Sequence, residues 1–326
     1  MTSPLVSVIM PARNAEKTIA NAIASVLEQT MPDLELIVID DASADQTAAL
    51  VGAIKDRRIR LLKSARNTGH AAARNWGVKN ARGKWAAFLD ADDEWMPWRL
   101  ERLLRVAYKQ ECYVADLEVL AVPGPWGRLA RAAAPRQIED GGVAELSLET
   151  ALHLSQDIRP MLPVSWFGED GIEFPEWGSC GEWAFLLARL SVQGKPGCMV
   201  RSPGYLYRAQ AAHYSSTLRG RQELVSVLEV LVADHAISKS SRLLLSNRLA
   251  YAQEGLVAAA LRCKDARGFF VYAIRYPHAI FRLPRRIFLF VVAKVRSFLA
   301  KARLSRRLGP HCGADGLGPV RQPWHR

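Results

Sequence analysis

Val6-Ser7-Val8-Ile9-Met10-Pro11-Ala12-Arg13-Asn14 opens on a run of strand-forming residues and closes on a proline and two polar side chains. The same figure recurs at Leu34–Asp40, Ile59–Leu62 and Trp85–Leu89, each apolar run ending in polar residues. Helical periodicity follows each run, over Glu16–Gln29, Thr47–Lys55, His70–Asn80 and Pro97–Lys109. Strand and helix alternating in this way predict an α/β fold, a mostly parallel sheet with helices on both faces. Such sheets bind ligands beyond the carboxyl ends of their strands. The polar residues there are therefore the first site candidates: Arg13 and Asn14, Asp40 and Asp41, Arg66 and Asn67, and Asp90 to Asp93.

Past the fourth unit the pattern weakens. Residues 112–140, with Pro123, Gly124 and Pro125, read as an irregular connection or an acceptor-side insertion. Regular signals return as a short helix over Val143–Leu154, an apolar helix over Glu182–Val192 and a strand near Cys198–Val200. Helices are expected over Leu224–Ala236 and Ser241–Arg262, and a disordered tail over Gly309–Arg326.

At 326 residues and 49% hydrophobic composition the chain can bury one large core with an appendage. The net charge of +12 is unevenly placed: residues 1–220 hold 25 Lys and Arg against 26 Asp and Glu, whereas residues 221–326 hold 19 against 6. Within that last third, Phe269–Ala300 mixes apolar residues with Arg275, Arg282, Arg285, Arg286, Lys294 and Arg296. Its longest apolar run, Ile287–Ala293, is far shorter than the roughly 20 residues of a bilayer span. The mixture suits a helix lying on an anionic membrane surface. Nucleic acid is the rival partner for a basic segment, but no helix-turn-helix, stacking or zinc motif accompanies it. Five cysteines with no Cys-x-x-Cys pair suggest a reduced compartment, and the first residues lack a secretory pattern. The expected location is cytoplasmic, at the inner face of the cell membrane.

The densest chemistry lies in Phe88-Leu89-Asp90-Ala91-Asp92-Asp93-Glu94-Trp95. Carboxylates crowded at a strand end repel one another and favour a hard divalent cation, Mg²⁺ or Mn²⁺, that bridges them to phosphate. The plain alternative is a solvated loop capping the helix that follows.

Joined to its neighbours, this cluster resembles the family 2 glycosyltransferases of bacterial surface-polysaccharide biosynthesis. Val6–Asn14, Glu35–Asp45, Arg66-Asn67-Thr68-Gly69, Ala73-Arg74-Asn75-Trp76-Gly77, Ala81-Arg82-Gly83 and Phe88–Asp93 follow the order and spacing of that family over about a hundred residues. The resemblance implies a GT-A fold, an inverting sugar transfer and a nucleoside-diphosphate donor, UDP being the commonest. It places the nucleotide base against Pro11, Ala12 and Arg13, with Glu16 nearby, and assigns the base's imino hydrogen to Asp41 or Asp40. Asn67 and Gly69 end the third strand beneath the ribose, and Arg74 is the charged candidate on the helix that follows, taken as exposed. Asp90 faces the ribose beside Ala91, and Asp92 holds the metal. Tyr205-Leu206-Tyr207-Arg208 and His213-Tyr214-Ser215-Ser216 are similar to the family's closing elements, which makes His213 a further metal or phosphate candidate.

The family's general base sits in a Glu-Asp pair at the start of a helix, and that pair is absent here. Aligning the apolar face of Cys180-Gly181-Glu182-Trp183-Ala184-Phe185 with the family pattern puts Glu182 in the aspartate's place; Glu169 and Asp170, in an upstream Gly-Glu-Asp, are the alternative. The expected organisation is a GT-A domain over residues 1–220, divided into a nucleotide-sugar half (1–110) and an acceptor half (111–220). A basic helical extension (221–308) and the tail (309–326) follow. The expected activity is transfer of a sugar to a hydroxyl of a saccharide or lipid-linked saccharide. The departure from the Glu-Asp pair keeps open a second reading, a catalytically impaired nucleotide-sugar-binding scaffold. A Rossmann dehydrogenase is disfavoured because no Gly-x-Gly-x-x-Gly follows the first strand.

Overall fold

The first third of the chain runs β1 (Val6–Ala12), α1 (Ile19–Leu27), β2 (Leu34–Asp40), α2 (Thr47–Ala53), β3 (Ile59–Lys63), α3 (His70–Lys79), β4 (Trp85–Phe88), β5 (Glu94–Trp95) and α4 (Arg99–Gln110). These elements come from a computed structural model. It describes residues 3–281 apart from 124–128, 132–141, 154–157, 169–170, 178–179, 209–216 and 264. The main sheet has the order β3-β2-β1-β4-β9, parallel except for the edge strand β9 (Leu162–Pro163). Every residue of β1, β2 and β4 is buried, as a central strand covered on both faces requires.

Alternation along these strands sorts the two cores. Val8, Met10, Leu36, Val38 and Ala87 pack with Ile19 and Ile23 of α1 and with Leu100, Leu103 and Leu104 of α4. Ile9, Ile37, Ile39 and Phe88 face the other way, into a cluster that includes α3 and the later helices. The carboxyl ends of β1, β2 and β4 all open onto one edge, so Arg13, Asp41 and Asp90 share a crevice although they lie far apart in sequence.

The remaining elements are β6 (Tyr113–Pro123), β7 (Leu129–Arg131), β8 (Val143–Glu145), α5 (Leu148–His153), β9, α6 (Glu182–Val192), β10 (Gly197–Arg208), α7 (Leu218–Ala233), α8 (Lys239–Arg262), α9 (Ala266–Arg275) and α10 (Pro277–Phe281). A second sheet, ordered β5-β10-β6-β7 with β8 also on β10, packs against the first.

Three expectations are corrected here. Tyr113–Pro123 is an eleven-residue strand rather than irregular chain. It pairs in parallel with β10, a partner more than eighty residues away, with a register shift around Pro203; such distant pairing leaves little local signal. The expected helix over Val143–Leu154 is a strand followed by a shorter helix, because Val143–Glu145 pairs with Cys198–Val200 of β10. The expected boundary after residue 220 falls inside α7, which is capped by Thr217 accepting from the Gly220 amide. Val225, Leu228, Leu256 and Phe269 share one buried cluster with Phe88, Trp183 and Leu186, so the described part of the extension is built onto the rest of the chain.

Gly77 shows how tightly α3 sits on the sheet. A Cβ there would lie 2.5 Å from Ile9 Cγ2 and 2.8 Å from Ile39 Cδ1. Gly77→Val is expected to destabilise the protein by about 1–3 kcal/mol through overpacking, read as a lower urea midpoint with an unchanged slope. An unchanged midpoint would mean that α3 can lift from the sheet without cost.

Candidate active site

The crevice begins with loops laced to one another. After β1, Asn14 takes a left-handed conformation (φ 51°) and its Oδ1 accepts from the Ala44 amide at 2.8 Å. The Ala15 amide donates to Thr47 Oγ1 at 2.7 Å, the Glu16 amide donates to Asp45 at 3.1 Å, and Glu16 accepts from the Gln46 amide at 3.2 Å. Asp45 Oδ1, two residues ahead of α2, also accepts from the Thr47 amide at 3.0 Å. At the end of β2, Asp41 Oδ1 accepts from the Thr68 amide (2.7 Å) and hydroxyl (2.9 Å), and Oδ2 accepts from the Gly69 amide (2.8 Å). Asp41 thereby fastens the turn into α3, where Gly69 adopts φ 90°, a region open to glycine. Asp40 is buried without lining the cleft, and its Oδ1 has no hydrogen-bond partner among the described residues. Of the two adjacent acids only Asp41 reaches the crevice.

Asp90 is the electrostatic centre. Its Oδ1 lies 2.6 Å from Arg74 Nη2, and its Oδ2 lies 3.0 Å from Arg159 Nη2. Burial alone would raise this carboxyl, but the charges of Arg74 and Arg159 outweigh it and hold Asp90 well below the usual carboxylate range. Arg74 also binds Glu182 Oε1 at 2.8 Å and is only 2% exposed. The expected exposed cation is thus a buried link between the two halves of the molecule. Its ring neighbours explain why burial is tolerated: the guanidinium lies 4.8 Å from the Trp183 ring and 5.6 Å from Phe174.

Each remaining acid of the cluster has a different environment. Asp93 is buried and accepts from Tyr205 Oη (2.9 Å) and the Arg208 amide (2.8 Å), so its role is to tie β10 to the end of β4. Burial and then Asp92 push its carboxyl well up. Asp92 lies on the cleft; burial, then the neighbouring Asp90 charge, raises it. The Arg208 Nε donates to the Asp92 carbonyl at 2.7 Å.

Two adjoining cavities form the crevice, sharing Pro11, Arg13 and His70. The smaller, about 240 Å³, brings Ala12, Asp41, Asn67 and Gly69 together with Glu176, Trp177, Arg219 and Glu223. The larger, about 790 Å³, holds Glu16, Lys17, Asp90, Ala91, Asp92 and Arg208. Arg74 and Glu182 line neither cavity; Glu182 is 6% exposed. Glu169, Asp170 and His213 lie outside the described residues. Among the described residues no group of three or more His, Cys, Asp and Glu could hold a metal by itself. A third cavity, about 370 Å³, lies beside α4 between Arg102, Lys109, Val143 and Val200 and contains none of the expected site residues.

Several residues at the site escaped the sequence, Arg159, His70 and Lys17 among them. Arg159 precedes Pro160 in a stretch with no periodic pattern, yet it joins Asp90 to Glu118 (2.5 Å) and lies 4.6 Å from the Tyr205 ring. His70 and Lys17 follow strand ends, and the rule about carboxyl ends could have found both. His70 is exposed on the cleft; the crowding of the cleft walls and then the Arg74 charge lower its pKa.

The comparisons agree with this geometry. The model described as Glycosyl transferase family 2 matches residues 7–154. The succinoglycan biosynthesis protein ExoO of Rhizobium meliloti (strain 1021) is 31% identical over 272 residues, covering 82% of this chain and 74% of that protein. The UDP-Glc:alpha-D-GlcNAc-diphosphoundecaprenol beta-1,3-glucosyltransferase WfgD of Escherichia coli is 46% identical over 109 residues, 33% of this chain and 43% of that protein. Among solved structures, S. aureus TarS 1-349 in complex with UDP-GlcNAc superposes with a TM-score of 0.61 at 18% identity, over 92% of this chain and 87% of that one. Mannosyltransferase PcManGT from Pyrobaculum calidifontis, in complex with GDP-Man and Mn²⁺, gives 0.55 at 17% identity, over 93% and 87%. At these identities the likeness is one of fold, the GT-A fold.

The Arg74 link has a direct consequence. Arg74→Met leaves Asp90 and Glu182 without their shared cation and is expected to cost about 3–5 kcal/mol at pH 7. Because Asp90 is depressed in the folded protein, its stabilisation is present at neutral pH and is lost only as the pH falls below the ordinary carboxylate range. In Arg74→Met that contribution is smaller, so the gap between parent and variant should narrow as the pH falls below the ordinary carboxylate range. Urea titrations at pH 7 and pH 4 check both points, and equal stability of parent and variant at pH 7 would contradict them.

Proposed function

The chain belongs to glycosyl transferase family 2, and from that premise we propose that it transfers a sugar from a nucleoside-diphosphate sugar, a UDP-sugar, to a hydroxyl of a saccharide or lipid-linked saccharide acceptor, with inversion, in cell-surface polysaccharide biosynthesis. The observation that carries the reading is the meeting of Arg13, Asp41, Asn67, Asp90 and Asp92 in one crevice at the carboxyl edge of the sheet. The activities for which the two relatives are named, succinoglycan biosynthesis and glucosyl transfer to a diphosphoundecaprenol-linked sugar, support the substrate class.

In this reading the nucleoside occupies the smaller cavity and the diphosphate the larger, where Arg13, Lys17 and Arg208 supply positive charge. The donor set suits Mg²⁺ or Mn²⁺: Asp92 is a hard oxygen ligand on the cleft, and burial and then the Asp90 charge raise its carboxyl. Asp92 lines the larger cavity and, completed by the donor's phosphate oxygens, would hold the ion. When bound, it neutralises charge on the departing diphosphate.

Glu182 is the proposed base. The acceptor oxygen forms the new bond to the sugar's anomeric carbon as the bond to the diphosphate breaks, and the acceptor proton passes to the Glu182 carboxylate. Its pairing with Arg74 orients it. That burial and pairing also favour the second reading, a nucleotide-sugar-binding scaffold in which Glu182 is structural.

A membrane contact is proposed for the far end of the chain. Val271, Ile274 and Arg275 are exposed on α9, and residues 282–326, outside the described region, carry 11 Lys and Arg against Asp315 alone. No helix of the described residues is long and apolar enough to cross a membrane. Phe269, Ala273 and Tyr276 are buried, so removal of 282–326 spares the folded core. That deletion should release the protein from anionic vesicles at low salt while nucleotide affinity persists; unchanged sedimentation with the vesicles would remove the membrane reading.

Glu182→Gln tests the chemistry. It keeps shape and hydrogen bonding but accepts no proton, so donor binding should persist while transfer falls roughly 10²–10⁴-fold. Glu169→Gln and Asp170→Asn are the controls. Loss of transfer in a control with an active Glu182→Gln would move the base upstream. Donor binding by the parent without transfer to any acceptor in membrane extracts would favour the scaffold.

A further inference from the structure

The two cavities of the crevice meet at Pro11, Arg13 and His70. Pro11 is a buried strand residue, so the polar side chains at the seam are those of Arg13 and His70. We propose that His70 is a donor-binding residue whose ring N–H hydrogen bonds the phosphate that carries the nucleoside. The proposal rests on reading this cleft as the donor site.

Sequence and packing fix where the ring stands. His70 opens α3, and the turn before it is fastened at Thr68 and Gly69, whose amides both donate to Asp41. Behind it α3 lies on the sheet, with Ala71, Ala73, Gly77 and Val78 buried. Arg74 is four residues on, and side chains at that spacing share a helix face. Since Arg74 is held by Asp90 and Glu182, the face that His70 shares is the one turned to the end of β4. The charges felt by the ring are accordingly those of Arg74, Asp90, Asp92 and Asp41.

The side chain is also unengaged. It is exposed, and neither ring nitrogen has a hydrogen-bond partner among the described residues. Whatever its tautomer, an imidazole offers at least one N–H, and a bond from it to a charged phosphate oxygen is stronger than one between neutral groups. Charge sorts the two compartments on either side. Beyond the seam, the smaller cavity presents Asp41, Glu176 and Glu223 against Arg219, which is itself paired with Glu223. That surplus of carboxylate suits the N–H and hydroxyl groups of an uncharged nucleoside and repels phosphate. The first anionic group of the nucleotide therefore falls at the seam, beside Arg13 and His70, and the next reaches toward Lys17, Asp92 and Arg208 in the larger cavity. The first turn of α3 carries no acidic side chain to oppose it.

Calorimetric titration of the full chain with uridine, UMP and UDP, in the presence and absence of Mn²⁺, tests the contact. His70→Ala should weaken UMP and UDP by roughly tenfold or more, the loss of one hydrogen bond to a charged group, and leave uridine unchanged. His70→Gln, which retains a side-chain N–H, should recover most of the affinity, whereas His70→Phe, a ring without one, should not. In transfer assays the donor KM should rise in His70→Ala with kcat nearly unchanged, because the contact is made in the ground state and the transition state alike. The side chain is at the surface, so equal melting temperatures without ligand show that each variant folds. Unaltered UMP and UDP affinity in His70→Ala, or an equal loss for uridine, would overturn the proposal while leaving the donor site standing. A loss confined to titrations with Mn²⁺ would also overturn it, by making His70 a metal ligand instead. A parent that binds none of the three would overturn the donor-site reading itself.

Discussion

The guanidinium of Arg74 is shared between Asp90, where β4 ends, and Glu182, where α6 begins. Taking a cation out of water costs several kcal/mol unless its partners are close and well directed. Two carboxylates and two aromatic faces meet that condition here. The consequence is geometric, because the strand end that carries the acidic cluster cannot move independently of the helix that carries the candidate base. Arg159 repeats the device on the other oxygen of Asp90 and extends it to Glu118 of β6. Asp90 is therefore one of the links between the two sheets, placed at the edge of the cleft.

This wiring gives neighbouring acids of one short motif different tasks. Asp90 is neutralised by protein cations and is structural as well as cleft-lining. Asp93 is turned inward to Tyr205 and the Arg208 amide. Asp92 remains on the cleft with burial and Asp90 working against its charge, which is the setting in which a hard cation bound with a diphosphate is most useful. Under the proposed function, one side chain of the cluster meets the metal and the others keep it there.

The first hundred residues were legible because each strand–helix unit is local: the period changes within a few residues, and polar residues mark each strand end. Asp41, Asn67, Asp90 and Asp92 were among the strand-end candidates on that rule, with Asp40 and Arg66 beside them, while Gly69 came from the family resemblance. Tyr113–Pro123 was not legible, since its pairing with β10 is set by residues more than eighty positions away. Arg74 looked like a surface charge because its helix shows only that an arginine follows three alanines; the carboxylates that bury it come from β4 and α6. Arg159 had no pattern around it at all. Trp177 and the α7 residues of the smaller cavity were hidden for the same reason, as neither segment carries a motif and only the packing of α7 on the core brings them to the cleft.

Ligand-linked stability of the parent protein tests the central claim most directly. A thermal-shift series with UDP-sugars and GDP-sugars, each with and without Mn²⁺, reports binding to the folded state, and a ligand at 100 times its Kd stabilises by about 2.7 kcal/mol. The account predicts a clear rise in melting temperature with a UDP-sugar and Mn²⁺ together, and a smaller one with either alone. No shift with any nucleotide sugar in the presence of Mn²⁺ would contradict it.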